Sequence, residues 1–126
     1  MQSRILAETS LESSLFHLID NRHLVKHFAY VDGRWAAARD GAVFQVTDPA
    51  DGSLLGEVTS LSSAQSAEAI DAADDAFSSW STLLPQERAS FLLAWHDLIL
   101  ENREDLARLM TREQGKPLSE SRGEID

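Results

Sequence analysis

"TREQGKPLSESRGEID", Thr111 to Asp126, is the stretch that decides the fold. A run with helical character reaches Gly115-Lys116-Pro117 and stops there. Glycine supplies the left-handed residue that commonly ends a helix, and proline cannot continue the helix but suits the first position of a new one. Leu118 and Ile125 then open a second apolar stripe, which is expected to be the start of a helix cut across after Ile125. Two helices joined by a tight stop is the local reading.

Working back from that stop, Asn102 is expected to cap a helix over Arg103 to about Gln114. Its buried side would hold Leu106, Leu109 and Met110, with Glu104 and Arg108 on the wet side. Before it, Pro85 suits a first helical position and Glu87 favours the positive end of the dipole. Phe91, Leu92, Trp95, Leu98 and Ile99 give that helix a broad apolar face. Ser62 and Gln65 have capping-box spacing and start a further helix. Its stripe, Ala67, Ile70, Ala73, Phe77 and Trp80, is expected to pack inward.

Between Phe28 and Val58 the period shortens. "FAYVDGRW" and "AVFQVT" are rich in aromatic and β-branched residues. Asp32-Gly33 fits a two-residue hairpin loop in which both residues take positive φ, setting Tyr30-Val31 opposite Arg34-Trp35. Asp48-Pro49-Ala50-Asp51-Gly52 is a second reversal before "LLGEV". A small β-meander is expected, preceded by a leader in which Leu11, Leu15, Leu18 and Ile19 form one stripe of a short helix over Ser10 to Asp20, with Asn21 at its end.

The chain has 126 residues, is 43% hydrophobic and carries a formal net charge of −10. It is long enough to bury roughly two thirds of its unfolded surface without disulfides. Its charge repels phosphate backbones and anionic lipid, so neither nucleic acid nor a membrane is an expected partner. The absence of cysteine excludes a thiolate zinc site and a thiol nucleophile within these residues. The first twenty residues lack an unbroken apolar core and carry Glu8 and Glu12, unlike a secretory or transit signal, so a cytoplasmic protein is expected.

Chemistry-bearing clusters are few. His23 and His27 are four apart, but neither they nor His17 and His96 have further ligands at metal-site spacing. Asp71, Asp74 and Asp75 read as a solvated helix face, as do Glu101, Glu104 and Asp105. There is no Gly-x-Ser-x-Gly elbow, Walker A loop or Gly-x-Gly-x-x-Gly turn. Trp35, Trp80 and Trp95 could form a stacking platform, but Trp80 and Trp95 fall on the apolar stripes and read as core. No catalytic and no cofactor-binding residue is assigned on these grounds.

The succession "YVDGRW", "VTDPADGSLLGEV", "AIDAADDAFSSW" and "ERASFLLAWHDLILENREDLARLMTREQGKPLSESRGEI" closely resembles the start of the NAD(P)-dependent aldehyde dehydrogenases, over roughly Phe28 to Asp126. The last piece looks most like the succinate- and glutarate-semialdehyde dehydrogenases. The resemblance implies a Rossmann-like α/β fold in the parent protein. Residues 1–27 would be a leader or extension, and residues 28–126 the incomplete N-terminal part of the cofactor-binding domain, a β-meander followed by three to four helices. It implies oxidation of a semialdehyde with NAD or NADP by a homodimer or homotetramer. In the family a cysteine thiolate attacks the aldehyde, hydride passes to the nicotinamide and a glutamate-activated water releases the acid. None of those residues falls on this chain, so the isolated chain is expected to be inactive.

One further implication attaches to named positions. Many members bind a monovalent cation through backbone carbonyls, which correspond here to Thr47 and Glu113. The rival reading is a non-catalytic helical binding or regulatory module derived from the same fold.

Overall fold

The computed structural model describes Leu15 and residues 17–126. Strands β1 (Ala29–Val31), β2 (Arg34–Ala36), β3 (Val43–Thr47) and β4 (Leu54–Thr59) precede helices α1 (Ser63–Trp80), α2 (Pro85–Glu101), α3 (Arg103–Gln114) and α4 (Leu118–Ile125). A 3-10 turn, Arg22–Leu24, stands before β1. The expected meander resolves into two separate two-stranded sheets, β1-β2 and β3-β4.

The first hairpin follows from its turn. Asp32 at φ 49° and Gly33 at φ 72° take the two positive-φ positions, and Tyr30 pairs with Trp35 and Val31 with Arg34. The two rings meet edge to face at 5.1 Å.

The chain divides into two compact units. One comprises the described residues up to Lys26 together with Gln45–Glu57 and Ile99–Asp126; the other comprises His27–Phe44 and Val58–Leu98.

In the first unit, Leu15, Ile19 and Leu55 form the buried cluster, with Val25, Val46 and Leu109 against it. Most of the helix expected over Ser10 to Asp20, Leu11 included, lies outside the described residues. Within the described part Leu15 and Ile19 are buried while Leu18 is exposed, so two of the three described stripe residues face the core. Asn21 heads the 3-10 turn, accepting from the His23 N–H, instead of ending a helix. Helices α3 and α4 pack against each other. Small residues suit that approach: Ala107 and Ser121 are fully buried, and the Ser121 hydroxyl bonds that of Thr111 at 2.9 Å.

In the second unit, Ser62 caps α1 by accepting from the Gln65 N–H. The Gln65 side chain does not close a reciprocal box. It accepts from the Arg39 N–H and donates to the Ala37 carbonyl, so it fastens the loop after β2 to the start of α1. Glu87 does more than favour the dipole, since its carboxylate accepts from the Leu84 N–H at 2.8 Å and caps α2.

The apolar stripes of α1 and α2 correct the inward-packing expectation. Ile70, Phe77, Phe91, Leu92, Trp95 and Leu98 are each more than half exposed. Trp80 is half-buried and meets Phe91 at 5.8 Å between ring centroids, but Trp95 is not core within this chain. The periodicity is right for burial, yet this unit holds no sheet wide enough to cover two helix faces.

Candidate functional site

The two positions singled out for a cation, Thr47 and Glu113, lie in segments that the first unit brings together. Thr47 ends β3 and Glu113 lies in the last turn of α3. Between them stands the reversal after Thr47. Its Asp48 is almost fully buried, and its carboxylate accepts from the Ala50 N–H at 2.8 Å and pairs with Arg112 of α3 at 2.9 Å. The Asp48 carbonyl accepts from the Gly52 N–H, and its own N–H donates to Ser53. Gly52 at φ 75° lets the backbone return into β4.

The other side of the contact is made by the helix stop. Gly115 ends α3 at φ 74°, its N–H donating to the Thr111 carbonyl. A Cβ added there would lie 2.7 Å from Cγ of Pro49. Hydrogen occupies that space in the native chain, and the proline ring sits directly on the helix end.

Proline enters a second time at position 117. The Glu113 carbonyl would accept the N–H of residue 117 if α3 continued, and Pro117 has none to give. An exposed carbonyl at a helix C-terminus, where partial negative charge accumulates, suits a water or a cation. Partial burial also pushes the Glu113 carboxyl above the ordinary glutamate value of 4.5.

A second carboxylate on α3 departs from the solvated face expected for it. Asp105 is 6% exposed. It accepts from the backbone N–H groups of Asp20 at 3.1 Å and Asn21 at 2.7 Å, and Arg108 reaches it at 3.3 Å. The Asn102 side chain does not cap its helix; it accepts from Asn21 at 2.6 Å. Position in the helix gave no sign of this, because the partners are loop N–H groups more than eighty residues away. Asp20, Asn21, Glu101, Asn102, Glu104 and Asp105 line an open acidic groove.

Glu104, expected on the wet side with Arg108, turns to α4 and receives a forked pair of bonds from Arg122, both at 2.9 Å. That hydrogen bonding holds its carboxyl below the ordinary range. The two glutamates therefore answer pH oppositely. Glu104 contributes stability above its unfolded pKa, and that contribution is lost as pH falls through the lower folded value. Glu113 is penalised once ionised, so its cost to stability falls away as pH drops through its raised folded pKa toward 4.5. Urea titrations at pH 7 and pH 4 should find Glu113→Gln more stable than the native chain at pH 7, with the gap closing at pH 4. Glu104→Gln should be less stable at pH 7, with its deficit shrinking on acidification. Gaps of the same sign for both variants would contradict these environments.

The remaining candidates resolve simply. Asp71, Asp74 and Asp75 are exposed, as expected. His17, His23 and His96 are exposed and His27 is half-buried. Among the described residues no group of three or more His, Asp or Glu is placed to hold a metal ion, and no helix is long and apolar enough to cross a membrane.

A hairpin, a buried aspartate turn seated on a helix stop, and helices with uncovered apolar faces make up an α/β segment. The aldehyde dehydrogenase family model matches residues 35–126, and the chain belongs to that family. It is 49% identical over 102 residues to glutarate-semialdehyde dehydrogenase of Pseudomonas aeruginosa, covering 81% of this chain and 21% of that protein. It is 43% identical to an NADP-dependent succinate-semialdehyde dehydrogenase of Escherichia coli, covering 85% of this chain and 22% of the relative. The crystal structure of succinate-semialdehyde dehydrogenase from Burkholderia pseudomallei superposes with a TM-score of 0.82 at 45% identity, over 85% of this chain and 22% of that one. The chain thus spans about a fifth of the length of the relatives it matches.

Proposed function

We propose that the chain forms the opening of the cofactor-binding domain of an NAD(P)-dependent semialdehyde dehydrogenase, with residues 28–126 as that domain's N-terminal part. The intact enzyme would oxidise an aldehyde such as succinate semialdehyde to the carboxylate, in the cytoplasm, as a homodimer or homotetramer. The similarity to semialdehyde dehydrogenases over four fifths of the chain carries this reading. The exposed faces of α1 and α2 support it, since they are the surfaces a larger sheet would cover. The family's nucleophile, its activating glutamate and its nicotinamide-contacting residues have no counterpart in these residues, so the 126-residue chain alone is inactive.

The test has two arms. The purified chain, given succinate or glutarate semialdehyde with NAD or NADP, should produce no absorbance of reduced nicotinamide, and it should bind an apolar-surface dye strongly. A polypeptide in which this chain replaces the matching segment of a semialdehyde dehydrogenase should reduce the cofactor. A chain that melts sharply with no dye binding, and a chimaera that folds without activity, would favour the non-catalytic binding module instead.

The same reading gives Thr47 and Glu113 a role in holding a monovalent cation through their carbonyls. The donor removed by Pro117 and the seating of the neighbouring turn on α3 support it. Melting of the active chimaera in potassium, sodium and choline chlorides of equal ionic strength should show a higher Tm in one of the small cations than in choline. Equal values in all three would remove the cation from the proposal.

A further inference from the structure

We draw no further inference here: the strongest candidate, the exposed apolar surface patch on α2 around Phe91, Leu92, Trp95 and Leu98, belongs to the missing-sheet reading already proposed, and nothing in the structure shows what else covers it.

Discussion

Replacing Asp105 by alanine is expected to lower the unfolding free energy by about 3 kcal/mol, the sum of two part-buried backbone donors left without acceptors. The donors are the N–H groups of Asp20 and Asn21. Arg108 would lose one partner and keep the Leu18 carbonyl and Asp20. Asp105→Asn retains one acceptor oxygen and should lose about half as much. The matching observation is amide exchange: Asp20 and Asn21 should lose protection in Asp105→Ala before the interior of α3 does. A fall under about 0.5 kcal/mol, as for ordinary surface substitutions, would mean that the loop is not fastened to α3.

The second large effect is expected at Gly115. Alanine there meets two separate obstacles. A left-handed φ costs a residue with a Cβ about 1–2 kcal/mol, and the new methyl would sit 2.7 Å from Pro49 Cγ, an overlap whose relief costs about 1–3 kcal/mol. Together they should remove about 3 kcal/mol. Gly52 is the control, because it has nearly the same φ and nothing within 4 Å of the added Cβ. Gly52→Ala should therefore lose only about 1–2 kcal/mol, and the difference between the two variants measures the contact with Pro49. Equal losses in urea unfolding would show that the ring does not rest on the helix end. Pro49→Ala should rescue part of the Gly115→Ala loss and none of the Gly52→Ala loss.

Much of this fold is legible in the residues, for local reasons. The Asp32-Gly33 turn fixes its own register, Ser62 and Pro85 mark helix starts, and Gly115 with Pro117 marks a stop. Each of these signals is complete within a few residues. What periodicity could not supply was the identity of the covering surface. An apolar stripe reports that a face is to be buried, and says nothing of whether the cover lies in the same 126 residues. Ile70, Phe77 and Trp95 carry that periodicity and are exposed.

The buried carboxylates failed for the opposite reason. Asp48 and Asp105 have the local look of a turn residue and a polar helix position, while their partners, Arg112 for one and two loop N–H groups for the other, are set by tertiary contact. Of the candidate site, sequence resemblance supplied Thr47 and Glu113. It gave no sign of Asp48, Arg112 and the Pro49-Gly115 contact, which bring their two segments together.

The bonds from Asp105 to residues 20 and 21 bridge about 85 positions of chain, and this orders events during synthesis. The first unit draws on three stretches of sequence, the last of which begins at Ile99. Its core cannot close until the ribosome has released α3, whereas α1 and α2 form from neighbouring residues well before. Loop closure over such a span adds only a few tenths of a kcal/mol beyond a loop half to two thirds as long, so the delay comes from waiting for the chain rather than from entropy.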